Sequence, residues 1–88
     1  MYSDKYSEEI TRKLAKLKKK DPRHFEIVRK KMDWILENPE HRYKSLHYDM
    51  KDISRVHIGH FVLTFRMDHI NKTVYFEDYD HHDKIYLK

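Results

Sequence analysis

No cysteine occurs among the 88 residues, so neither a disulfide nor a thiolate metal site is available, and nothing speaks for a secreted compartment. Glycine appears once and proline twice. That scarcity excludes a glycine-rich phosphate loop and a serine-nucleophile elbow, both of which need several glycines at fixed spacing. Long apolar runs are missing too. No stretch approaches the roughly 20 apolar residues of a membrane span, and the N-terminus lacks the apolar core of a signal peptide. The expectation is a cytoplasmic protein without a membrane partner.

What is present is charge and aromatic content. A chain of 88 residues is expected to form one domain over 1–88 with a single core of modest depth, hiding about 60–65% of its unfolded surface. Charged residues make up 39%, a level that hints at disorder, but 14% aromatics and regular apolar spacing argue for a fold. The net charge of +4 and pI near 9.2 favour a polyanion or an acidic protein as partner, with a solvated lysine-rich surface as the plain alternative.

The chemistry collects between Arg55 and Tyr86. The sole glycine, Gly59, sits between two runs that alternate apolar and polar side chains, which predicts a hairpin with Gly59-His60 as a type II′ turn. In that register Ile58 faces Phe61, His57 faces Val62, Val56 faces Leu63 and Arg55 faces Thr64. The faces then sort cleanly: Val56, Ile58, Phe61 and Leu63 on one, Arg55, His57, Val62, Thr64 and Arg66 on the other.

Ahead of this hairpin, Ser7 caps a helix over about 7–20, with Glu8 and Glu9 in its first turn, Ile10, Leu14 and Leu17 at helical spacing, and lysines at its end. Those lysines suit the helix C-terminus, with phosphate contact as the sharper alternative. Asp21-Pro22 stops this helix and starts another, whose stripe of Phe25, Val28, Met32, Ile35 and Leu36 ends at Asn38-Pro39. So short a connection predicts an antiparallel helix hairpin against the sheet. Trp34 falls beside the stripe, at a core rim or on a partner surface. Glu40 to Asp52 reads as a connecting segment in which Tyr43, Leu46, Tyr48 and Met50 tuck inward, while Lys44 and His47 either reach a ligand or are merely solvated, as most loop residues are. Thr73 to Tyr79 is a third strand, with Val74 and Phe76 inward and Tyr75, Glu77 and Tyr79 outward. Ile85 and Leu87 anchor the tail. Met1 to Tyr6 is at most the remnant of an edge strand.

The order of helix, helix, linker and meandering strands, with Glu37-Asn38-Pro39, the Arg55–Phe65 hairpin, Asn71–Phe76 and the terminal HHDKIY, resembles the RelE/ParE superfamily of toxin–antitoxin toxins. The resemblance implies an α+β fold: an N-terminal helix hairpin packed on a small antiparallel sheet of three to four strands. It also implies an mRNA endoribonuclease that works on the ribosome and is held inactive by a RelB-like antitoxin. Carried across by position, the family's functional places are Arg55, His57, Val62, His82 and Tyr86. This chain departs from the pattern at Val62, where many members have arginine, and in its opening strand, reduced to about Met1–Tyr6.

Such cleavage needs a base for the 2′-hydroxyl, cations for the phosphorane and an acid for the leaving oxygen. On the polar face His57 is the base candidate, Arg55 and Arg66 the phosphate donors, His82 the acid, and Tyr86 a positioning or stacking group. Lys44 and His60 are further substrate contacts. Each is weighed against the ordinary need of a half-exposed sheet for polar residues, and Arg66 against simple pairing with Glu77 or Asp78. A metal site at Asp80, His81, His82 and Asp83 ranks below this, because adjacent histidines on an extended chain point to opposite sides. No cofactor is expected. The rival function is a non-catalytic or gyrase-directed binding toxin on the same fold, favoured by Val62.

Overall fold

The structure, a computed structural model, describes residues 1–46 and 52–86. The expected positions of His47, Tyr48, Met50 and Leu87 lie outside the described residues. In chain order the elements are β1 (Ser3–Tyr6), α1 (Glu8–Lys20), α2 (Pro22–Glu37), β2 (Lys44–Ser45), β3 (Ser54–Ile58), β4 (Phe61–Asp68), β5 (Thr73–His81) and α3 (His82–Tyr86).

Both helix starts follow the sequence signals. The Ser7 hydroxyl accepts the Ile10 N–H at 3.0 Å, and Glu8 and Glu9 lie against the positive end of the α1 dipole. Asp21 alone joins the helices: its carboxylate accepts the His24 N–H at 3.1 Å, and Pro22 occupies the first turn where no donor is lost. Ile10 and Leu14 of α1, with Val28, Met32, Ile35 and Leu36 of α2, form one core with Leu63, Phe65, Val74, Phe76 and Tyr79.

The fold class is the expected α+β, but the sheet is larger and mixed: five strands in the order β1-β5-β4-β3-β2, with β1 parallel to β5. All four side chains of β1 are exposed, so no apolar alternation marks it. Main-chain bonds flank it instead, from the Tyr2 N–H to Leu36 O at 3.0 Å, Ser3 N–H to Lys72 O at 2.9 Å and Ser7 N–H to Phe76 O at 3.0 Å.

The hairpin register is the expected one, from Ile58 opposite Phe61 to Arg55 opposite Thr64. Gly59 has φ +61° while His60 keeps a negative φ, as a type II′ turn requires. A Cβ on Gly59 would meet no atom within 4 Å, so only the backbone conformation opposes substitution. Gly59→Ala is expected to lower stability by about 1 kcal/mol, read as a reduced urea midpoint; an unchanged midpoint would refute the turn assignment.

The third strand breaks its own alternation. Thr64 faces Asp78 but Phe65 faces Phe76, so Glu77 is an extra residue, a β-bulge that resets the parity of everything after it. Tyr79, expected outward, therefore lies in the core with 4% exposure, its hydroxyl 2.6 Å from His24 Nε2. Burial raises the Tyr79 phenol well above its ordinary range.

The polar face is also less open than the alternation suggests. Val62 and Thr64, on the side away from α1 and α2, are 0% and 3% exposed. The short helix α3, unforeseen in the sequence, packs on β4 and β5 and buries Ile85. Val62 is thus a scaffold residue.

An ion cluster ties α1 to β5. Lys13 Nζ donates to Asp78 Oδ1 at 2.7 Å and Asp80 Oδ2 at 2.8 Å, with all three side chains largely shielded. Burial opposes charge on both partners. The hydrogen bonds and opposite charges nevertheless hold the Asp80 carboxyl below its ordinary 3.8 and the Lys13 ammonium above its ordinary 10.5. The linkage has two signs. A depressed acid stabilises the fold above 3.8 and loses this as pH falls through its folded value; a raised base stabilises below 10.5 and loses this as pH climbs. Lys13→Met should cost about 1–3 kcal/mol at pH 7 by leaving two shielded carboxylates without this partner, and should flatten stability changes below 3.8 and above 10.5. Denaturant melts across pH check both; an unaltered profile would discount the cluster.

Candidate active site

Alternation along β3 turns Arg55 and His57 to the side of the sheet away from the helix pair, and the pairing of β2 with β3 sets Lys44 opposite Arg55. Arg55 Nε donates to Ser45 O at 2.9 Å, which fixes the guanidinium over this edge. Its Nη1 lies 3.3 Å from His57 Nδ1. Guanidinium only donates, so Nδ1 accepts and the neutral ring carries its proton on Nε2. At 3.3 Å the contact is long, and it sets the Nδ1 lone pair directly beside the cationic fork.

The His57 imidazole is held below its ordinary 6.5, first by partial desolvation and then by the charges of Arg55, His82 and Lys44. His57 is therefore neutral, and able to accept a proton, at neutral pH.

His82 opens α3, and its N–H donates to the His60 carbonyl at 2.9 Å, clamping the helix start to the hairpin turn. Its Nδ1 is 2.9 Å from Asp83 Oδ1, which leaves Nε2 as the ring nitrogen without a hydrogen-bond partner among the described residues. The rings of His82 and His57 are 6.4 Å apart, and Tyr86 meets His82 edge-on at 5.2 Å. Lys44, Arg55, His57, His82 and Tyr86 are thus brought to one surface. The other two sequence candidates stand apart from it. Arg66 shares the face but is bonded to Glu77 at 3.1 Å and Asp52 at 3.3 Å, and the His60 ring stacks on His81 at 6.2 Å.

The histidine pair does not behave as an extended chain would have it. His81 closes β5 and His82 starts α3, and at this junction donor atoms of His81, His82 and Asp83 all lie within 4.8 Å of one another. The three could hold a divalent ion with one or more water ligands, although the Asp83 carboxylate is already engaged by both imidazoles, at 3.7 and 2.9 Å.

A feature missed in the sequence adjoins this surface. A cleft of about 470 Å³ opens at the β2 edge; Trp34, Lys31, His41 and Arg42 line it together with Arg55 and His57. The signal available was Trp34 beside the α2 stripe, together with the HRYK run at 41–44. Only the fold shows that the two meet.

No helix among the described residues is long and apolar enough to cross a membrane. No protein-family model matches the chain. In structure it is similar to the RelBE2 toxin–antitoxin complex of Mycobacterium tuberculosis (TM-score 0.74, 23% identity, 91% of this chain and 96% of that one). It is likewise similar to the isolated Escherichia coli RelE toxin (TM-score 0.76, 18% identity, 92% and 84%). These likenesses speak for the fold. In sequence it is 52% identical to an uncharacterized Methanosarcina mazei protein, over 98% of this chain and 100% of that protein. It is 45% identical to the Methanocaldococcus jannaschii protein named "Putative toxin RelE4", over 100% of this chain and 94% of its relative. With that identity along the whole chain, and the helix pair, sheet and polar hairpin face already described, the chain belongs to the RelE toxin family.

Proposed function

We propose that this protein is the toxin of a toxin–antitoxin pair and a ribosome-dependent mRNA endoribonuclease. The observation that carries this reading is the neutral His57 lone pair beside the Arg55 guanidinium, with the His82 ring 6.4 Å from His57 and its Nε2 not engaged by Asp83. In the proposed reaction His57 takes the proton of a ribose 2′-hydroxyl, whose oxygen attacks the adjacent phosphorus. Arg55 and Lys44 stabilise the charge that develops on the phosphoryl oxygens. The P–O5′ bond breaks, and protonated His82 gives its proton to the departing 5′-oxygen. The products are a 2′,3′-cyclic phosphate and a 5′-hydroxyl, and none of these steps calls for a metal. Tyr86, against His82, steadies that ring or stacks on a base.

An antitoxin partner is supported by similarity to toxins solved within RelBE complexes, that of M. tuberculosis and the intact E. coli one. The test is incubation of the purified protein with programmed ribosomes: fragments ending in 2′,3′-cyclic phosphate are expected, and intact message beside an active control toxin would overturn the proposal. The second reading, a binding toxin without cleavage, is favoured by the burial of Val62 and the engagement of Arg66, which leave fewer cations for a phosphate. It predicts tight binding to an acidic antitoxin and no cleavage.

A further inference from the structure

We propose that the cleft over the β2 edge is a nucleobase-binding subsite, in which a base of single-stranded RNA stacks on Trp34 while its flanking phosphates lie on Arg42 and Lys31. The proposal rests on the nuclease reading, since Arg55 and His57 also line the cleft. Its support is local. Trp34 is 41% exposed, unusual for the largest apolar side chain in a chain with so small a core. His41 and Tyr43 meet it edge-on at 5.1 and 6.3 Å, with interplanar angles of 77° and 88°, so the indole is held in one orientation. Lys31 Nζ sits 5.6 Å from the ring centroid, on a flexible stem that can shift from the ring to a phosphate.

Tyr43 is structural: its hydroxyl donates to Asn38 O at 2.8 Å and its ring meets Phe65 at 5.0 Å. Among the described lining residues there is no carboxylate. A cationic groove with an oriented, accessible aromatic ring is the recognition chemistry of single-stranded nucleic acid, whose bases stack on rings while lysine and arginine follow the phosphates. Continuity through Arg55 and His57 sets this base next to the scissile phosphate.

Trp34 is the only tryptophan, so its fluorescence reports this cleft alone. The probe is a five-residue oligoadenylate with 2′-O-methyl groups, which cannot be cut. Saturable quenching of Trp34 is expected, and by anisotropy of the labelled probe Trp34→Ala should weaken binding on the order of 10- to 100-fold, with Trp34→Phe keeping most of it. Should Trp34→Ala fail to fold by circular dichroism, Arg42→Ala decides: it should weaken binding and reduce the salt slope by about one charge. Parent affinity in Trp34→Ala, or in Arg42→Ala where that variant decides, overturns the proposal. So does equal quenching by a polyphosphate of the same charge, or an acidic peptide that quenches Trp34 and displaces the oligonucleotide. Binding of the uncuttable probe does not depend on catalysis: if it holds while programmed ribosomes keep intact message, the subsite stands and the nuclease reading falls. Normal cleavage by a Trp34→Ala protein with parent affinity for the probe leaves the nuclease reading standing and removes the subsite.

Discussion

His57→Ala is expected to slow cleavage of ribosome-bound mRNA by about 10²- to 10⁴-fold, the usual contribution of a positioned general base. The same loss is expected at every codon tested, because in the proposed reaction the substituted group acts on the 2′-hydroxyl rather than on a base. Arg55→Ala should cost a similar factor by removing transition-state charge stabilisation, and Arg55→Lys should recover only part, since the planar fork that bonds Ser45 and faces His57 is lost.

The pH profile separates the two roles. His57 titrates below its ordinary 6.5, so the acid limb of the rate should fall below 6.5 in the parent and vanish in His57→Ala. Arg55→Ala should move His57 back toward 6.5, visible in the NMR titration of its ring protons, because the guanidinium is the leading charge among the causes of the depression. A parent-like rate for His57→Ala would remove it from the mechanism.

Phe65→Ala should have the largest effect on stability, about 3–5 kcal/mol. Phe65 is fully buried and meets Tyr43 and Phe76 at ring separations of 5.0 and 6.1 Å. It joins β4 to the segment that leads into β2, so its loss should loosen the cleft as well as the core. Against a total of about 5–15 kcal/mol for a domain of this kind, a drop of about 15–30 °C in melting temperature follows. Calorimetry checks it, with Ile70→Ala, at a 93% exposed position, expected within about 0.5 kcal/mol of the parent. A loss under about 1 kcal/mol would show that the core closes over the gap and that Phe65 is not its centre.

Legibility in the sequence followed the range of the interaction concerned. The caps at Ser7 and Asp21, the Gly59 turn and the β3–β4 register are readable, because each is settled within a few residues by a side-chain acceptor, a positive φ or period-two alternation. That register also carries Arg55 and His57 to a common face. Tyr79 departs from its expected side because one extra residue, Glu77, reverses the parity downstream, and a bulge leaves no mark in composition. The histidine pair departs for a different reason: the extended chain ends at His81, and a helical turn begins at His82.

Local signals along the chain were enough for the helix pair, the hairpin with its sorted faces, and the imidazole and guanidinium groups able to do acid–base chemistry. Long-range packing settled the rest. It set β1 parallel beside β5, packed α3 on β4 and β5, and tied Arg66 to two carboxylates. It also joined Trp34 of α2 to the HRYK segment in one cleft with Arg55 and His57. One cause underlies all four: polar strands and surface side chains carry no periodic signal, and their partners, distant along the chain, are chosen by which backbone edges and charges the packed core leaves adjacent.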